Sequence, residues 1–167
     1  MGSHLEAQIN SAKVLVLGIG NSLLGDDGVG VRLVEELSRH AGGWGAAIEF
    51  LDGGTQGLAL LGRLEGRRVL VLLDAVALGA APGTVHILRN QEVLTMGFRS
   101  TTAHEGNAGE LLRAAMLIGD LPPEVVVVGV EPESVRTGMG LSESVEKAMP
   151  KALAAARAVL SDAIVGL

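Results

Sequence analysis

The chain predicts an α/β protein with three layers, α/β/α, in which a twisted, mostly parallel sheet of about five strands carries helices on both faces. Three observations predict it. Apolar runs of strand length alternate with stretches whose apolar residues recur at helical spacing. Two runs, over residues 68–73 and 125–130, are near-continuously apolar, as strands buried on both faces of a parallel sheet must be. The first run passes directly into a glycine-rich loop that opens a helix, the place where open α/β sheets form a binding crevice.

Each element follows in order. Residues 14–17 (Val-Leu-Val-Leu) form the first strand, and 29–37 repeat apolar residues with the period of an amphipathic helix. Residues 47–51 read as the second strand and 58–64 as a short helix. The third strand is 68–73; Pro82-Gly83 then turns the chain into a short strand over 84–88, a candidate for antiparallel pairing at an edge. Residues 90–103 are polar and irregular, and a long loop in a compact domain is often functional. A helix over 109–118 places Leu111, Leu112, Ala115 and Ile118 on one face, 125–130 is the last strand, and Ser142 caps an alanine-rich helix ending near Leu160. The order is βαβαββαβα, with no internal repeat, low-complexity tract or interdomain linker. One domain is expected over 13–165; Met1-Gly2-Ser3-His4 and the polar stretch to Ala12 read as tag remnant and leader.

Composition narrows the function. Hydrophobic residues make up 48% and charged residues 19%, which argues against disorder. A net charge of −6 without a basic cluster, no tyrosine, two phenylalanines and one tryptophan give nucleic acid little to bind. The absence of cysteine excludes disulfides, thiolate metal sites and a cysteine nucleophile together. No apolar run approaches the ~18 residues of a membrane span and no signal peptide is visible, so the cytoplasm is the expected location.

The chemistry concentrates at strand ends. Asp26 and Asp27 lie in the loop Gly18-Ile19-Gly20-Asn21-Ser22-Leu23-Leu24-Gly25-Asp26-Asp27-Gly28-Val29-Gly30, which therefore suits a cation or a proton and not a phosphate. Asp52 follows the second strand, Asp74 follows the third, and His104 precedes a helix. In a parallel sheet these ends share one edge, so Asp27, Asp74 and His104 form a candidate set of two oxygens and one nitrogen. Three protein ligands with a vacancy is the pattern of a catalytic metal site, and this donor set suits zinc, nickel, iron or manganese. Plainer readings stand beside it. Asp26 or Asp27 can cap the helix that starts near Gly28, Asp74 can be structural, and an isolated histidine such as His104 is more often structural than ligating. His40 sits at a helix end, His86 on the edge strand and Glu105 in a first helical turn; none is assigned a role. Asp52-Gly53-Gly54-Thr55 reads as a tight structural turn.

Three functions fall on specific residues. A dinucleotide site wants a third glycine where Leu23 stands, and Asp26 and Asp27 would repel pyrophosphate. A phosphoacceptor receiver domain needs a lysine ending the last strand, where this chain has Glu131-Pro132-Glu133. Serine hydrolysis lacks a G-x-S-x-G elbow.

The ordered set Gly18-Ile19-Gly20-Asn21, Gly25-Asp26-Asp27-Gly28-Val29-Gly30, Asp52-Gly53-Gly54-Thr55, Asp74-Ala75-Val76, His104 and Gly129-Val130-Glu131-Pro132-Glu133 leading to Gly140-Leu141-Ser142 resembles the [NiFe]-hydrogenase maturation endopeptidase family, over about residues 13–160. The resemblance implies a protease, metal-dependent or aspartic-type, that removes a C-terminal extension from the hydrogenase large-subunit precursor after nickel insertion. It implies Asp27, Asp74 and His104 as metal ligands, with Asp27 and Asp74 also catalytic. Asp27 stands where some members have Glu, and the surroundings of His104 match loosely. Nickel would come with the precursor, and zinc or cadmium would fit the same ligands. The alternative is a nickel-binding or precursor-holding chaperone that cleaves nothing.

Overall fold

The computed structural model describes residues 12–95 and 108–167. In chain order they form β1 (Val14–Ile19), α1 (Val29–Arg39), β2 (Ile48–Gly54), β3 (Val69–Ala75), β4 (Val85–Arg89), α2 (Gln91–Thr95), α3 (Ala108–Ile118), β5 (Glu124–Val130) and α4 (Glu143–Val165). The five strands make one sheet in the order β2-β1-β3-β5-β4. All pairings are parallel except β4 with β5, so the predicted edge hairpin partner is antiparallel.

Strand alternation sorts the core into two faces. Val14, Val16, Val69, Val71, Val126 and Val128 pack with α1 and α4 residues such as Leu33, Leu37, Ala152 and Ala156. Leu15, Leu17, Leu70 and Leu72 pack with Leu60, Leu111, Leu112 and Ala115 on the other side. The valine-lined face meets α1 and α4, and the leucine-lined face meets α3 and the segment that carries Leu60. The three-layer α/β/α prediction holds.

Three local readings change. Residues 58–64 do not make an α-helix: Gly57–Arg63 is a 3₁₀ helix that still buries Leu60, a form suited to a short piece entered through Gly57 at φ 51°. The segment after Asn90 is not wholly irregular, since Gln91–Thr95 is helical; the remainder of 90–103 lies outside the described residues. β2 continues to Gly54 and β3 to Ala75, so Asp52 and Asp74 are within their strands and not beyond them. Ala12, at the end of the leader stretch, is buried, and its carbonyl accepts from Arg67 Nη1 at 2.6 Å.

Sheet order fixes where a site can form. The connection from β1 leads to β2 on one side, whereas the chain leaving β3 runs to β4 and β5 on the other. Between the adjacent strands β1 and β3 the connections diverge, and that divergence opens a crevice at the strands' carboxyl ends. Asp27 follows β1 and Asp74 is the penultimate residue of β3. They flank this point. Among the described residues no helix is long and apolar enough to cross a membrane.

Candidate active site

Glycines allow the first loop to close on itself. Gly20 has φ 138°, and a Cβ there would stand 1.9 Å from the Asp27 carbonyl oxygen. At Gly30 a Cβ would stand 2.1 Å from the Leu73 carbonyl and 2.4 Å from that of Ile19. Helix α1 therefore starts pressed against the ends of both β1 and β3, which brings Asp27 toward Asp74. The Asn21 amide donates to Asp27 Oδ2 at 2.8 Å.

Asp74 is the most costly group in the crevice. It is buried; Oδ1 accepts from the Ala75 amide at 2.8 Å, while Oδ2 has no hydrogen-bond partner among the described residues. Burial pushes its carboxyl well above the ordinary aspartate range, the negative charge of Asp27 pushes it further, and the Ala75 hydrogen bond only partly opposes them. A buried acceptor left without a partner costs free energy of about 1–3 kcal/mol unless a proton or cation meets it. Such groups cluster at functional sites.

Asp26 behaves differently. Neither aspartate caps α1 by its side chain; that helix has Gly28 at its N-cap with no side-chain cap bond. Asp26 Oδ2 accepts from Glu133 N at 2.8 Å, Ser134 N at 3.0 Å and Ser142 Oγ at 2.9 Å, and Oδ1 accepts from Ser142 N at 2.7 Å. Burial works to raise its pKa, but these bonds outweigh it and hold the carboxyl below the ordinary value. Asp26 thus pins the segment after β5 against the loop that carries Asp27. Backbone bonds from Gly25 N to Gly138 O at 2.9 Å and from Gly138 N to Leu23 O at 2.9 Å extend the seam.

A further buried acid, Glu131, directly follows β5. Glu131 accepts from Leu78 N and Gly79 N at 3.0 Å and pairs with His86 Nε2 at 2.9 Å. Burial raises its pKa, yet the Leu78, His86 and Gly79 contacts prevail and lower it. His86, given no role above, ties the edge strand to this acid. Asp52 is exposed and accepts from Gly54 N at 2.9 Å, consistent with a structural turn.

The structure brings Asp27 and Asp74 together. His104 lies outside the described residues, and among those described no group of three or more His, Asp or Glu is arranged to hold a metal ion. The Asp26 clamp was not legible: its partners stand more than a hundred positions away, and no local spacing marks them.

Fold and carboxylate pair define the class: an α/β protein with an acidic crevice at its topological switch point, suited to a proton or a cation. The model of the HycI hydrogenase maturation protease family matches residues 31–159. The chain is 38% identical over 151 residues to the hydrogenase 2 maturation protease of Escherichia coli K12, covering 90% of this chain and 92% of that protein. It is 37% identical over 155 residues to the hydrogenase expression/formation protein HupM of Azotobacter chroococcum, covering 92% and 74%. The solved hydrogenase maturating endopeptidase HybD of E. coli superposes with a TM-score of 0.79 at 36% identity, covering 90% and 93%. A hydrogenase 2 maturation peptidase from a Thaumarchaeota archaeon gives 0.67 at 34% identity, covering 89% and 98%. The chain belongs to the hydrogenase maturation protease family, a family of peptidases.

Proposed function

We propose that this chain is the endopeptidase that removes a C-terminal extension from a [NiFe]-hydrogenase large-subunit precursor once nickel has been inserted, and that Asp27, Asp74 and His104 meet the nickel the precursor carries. The observation that carries the reading is the buried Asp74 carboxyl, whose Oδ2 has no partner among the described residues, with the Asp27 charge beside it, in a chain of this family. That pair supplies hard anionic oxygens to one point, and an imidazole completes a set that suits a divalent metal of the nickel or zinc kind. His104 stands four positions before Ala108, the first residue of α3, which packs on the sheet face carrying Leu70 and Leu72. By alternation Asp74 belongs to that same face.

The metal would polarise the scissile carbonyl and hold the peptide in register. The protein's own work is proton handling. With no cation near, Asp74 retains a proton at the buried carboxyl because burial and Asp27 disfavour its charge. Positive charge in the crevice would favour loss of that proton and leave the carboxylate free to act as a base. It takes a proton from an attacking water and returns one to the departing amine.

The test is to incubate the purified protein with nickel-loaded precursor and follow the large subunit by mass spectrometry. Loss of the C-terminal extension is expected. A precursor that stays full length while remaining bound would replace the peptidase by a holding chaperone.

A further inference from the structure

The Asp26 clamp builds something beside the carboxylate pair. Its four hydrogen bonds fix both ends of the segment from Glu133 to Ser142, which runs along the first loop. Between segment and loop lies a cavity of about 280 Å³, lined by Ser22, Gly25 and Gly28 from the loop, Arg32 from α1, and Met139 and Leu141 from the segment. Gly25 and Gly28 bracket Asp26 and Asp27 in the chain, so the cavity is built on the loop that carries them. Its lining is mainly apolar and includes Met139 at 85% exposure, and Leu23 of the same loop is 60% exposed. Apolar side chains standing in water around an apolar hollow are a recognition surface, and an exposed methionine adapts to varied partners.

We propose that this cavity is a subsite for an apolar side chain of the precursor polypeptide next to the cleaved bond, and that the Asp26 carboxylate positions its far wall. The occupant is a polypeptide because the cavity shares its loop with the carboxylates that would act on a peptide bond; the inference therefore rests on the peptidase reading. The volume is enough for one large aliphatic or aromatic side chain and too small for a folded element. Gly138 and Gly140 leave the segment's outer surface bare, since a Cβ at either would meet nothing within 4 Å. An extended peptide can lie close there. Arg32, whose Glu146 partner is 3.5 Å away and nearly half exposed, is available to a backbone carbonyl or carboxylate of the same peptide.

The test fills and trims the cavity without touching Asp26, Asp27 or Asp74. Ser22→Leu should raise KM for nickel-loaded precursor by about tenfold or more with kcat nearly unchanged, and Met139→Ala by about threefold, because apolar pocket contacts are worth factors of this order. Met116→Ala, an exposed methionine on α3, is the control and should match wild type. Each variant must melt like wild type. If wild type cleaves and Ser22→Leu cleaves with the same KM, the subsite falls while the peptidase reading stands. If wild type does not cleave at all, that reading fails, and the subsite is judged by equilibrium binding of the same precursor. Roughly tenfold weaker binding by Ser22→Leu would then uphold it, and equal binding would overturn it.

Discussion

Asp26 gains hydrogen bonds on folding that favour its charge, whereas Asp74 loses water and gains a negative neighbour, so the two carboxyls move stability in opposite directions with pH. For Asp26 the unfolded chain holds its proton more tightly than the native one. Its contribution is complete above the ordinary aspartate value of 3.8 and is lost as pH falls through the lower native value. Asp26→Asn places an NH₂ group among N–H donors, and a loss of about 1–3 kcal/mol at neutral pH is expected from the stranded donors. Denaturant titration should also show a shallower acid decline below about pH 4 than in wild type. For Asp74 the native state binds the extra proton. Stability therefore falls as pH rises from 3.8 toward the raised native value, and the deficit is complete above it. Asp74→Asn removes that deficit while keeping shape, so the melting temperature at neutral pH should rise by roughly 2–8 °C as precursor cleavage disappears. A variant that melts lower than wild type at neutral pH would show that the Asp74 charge is not a burden on the fold.

Helix α4 begins at a cap that serves two purposes. Ser142 Oγ accepts from Val145 N at 3.4 Å and donates to Asp26 Oδ2 at 2.9 Å. Ser142→Ala should cost about 1–2 kcal/mol in denaturant unfolding, the range of a lost N-cap. It should also weaken precursor recognition, because the segment ending there loses one of its ties to Asp26. The cap itself was legible, since a serine before an alanine-rich periodic stretch is a local signal. So were β1, β3 and β5, whose unbroken apolar runs have one reading in a sheet covered on both faces. The 3₁₀ helix over Gly57–Arg63 was less so, because four leucines and alanines at that spacing fit either helix and only the tertiary space selects the tighter one. The carboxylate pair could be placed from topology alone: strand ends converge whatever their separation in sequence. Burial of Asp74, its bare oxygen and the Glu131–His86 pair needed coordinates, because nothing local tells whether a side chain faces water, a proton or another chain.

Asp27 and Asp74 follow or end adjacent strands whose connections part between them, so the crevice belongs to the whole sheet. On the proposed function, a site with two carboxylates, a candidate imidazole and no thiolate anywhere in the chain would hold nickel weakly alone. A precursor that presents nickel through its own ligands would complete the coordination and add peptide contacts, including the apolar cavity beside Met139. Two incomplete sites joined in this way bind far more tightly than either would separately. On the proposed function, loss of any one part would be felt as loss of recognition, and the peptidase would sense nickel insertion before it cuts. Purified protein mixed with nickel-loaded and nickel-free precursor at matched concentrations should cleave the first at least about a hundredfold faster, the scale on which coupled binding sites differ from single ones. Adding nickel to the enzyme alone, followed by removal of the free ion, should leave the nickel-free precursor intact. Equal cleavage of both precursors would remove the checkpoint and point to a peptidase that works through its aspartates or a metal of its own.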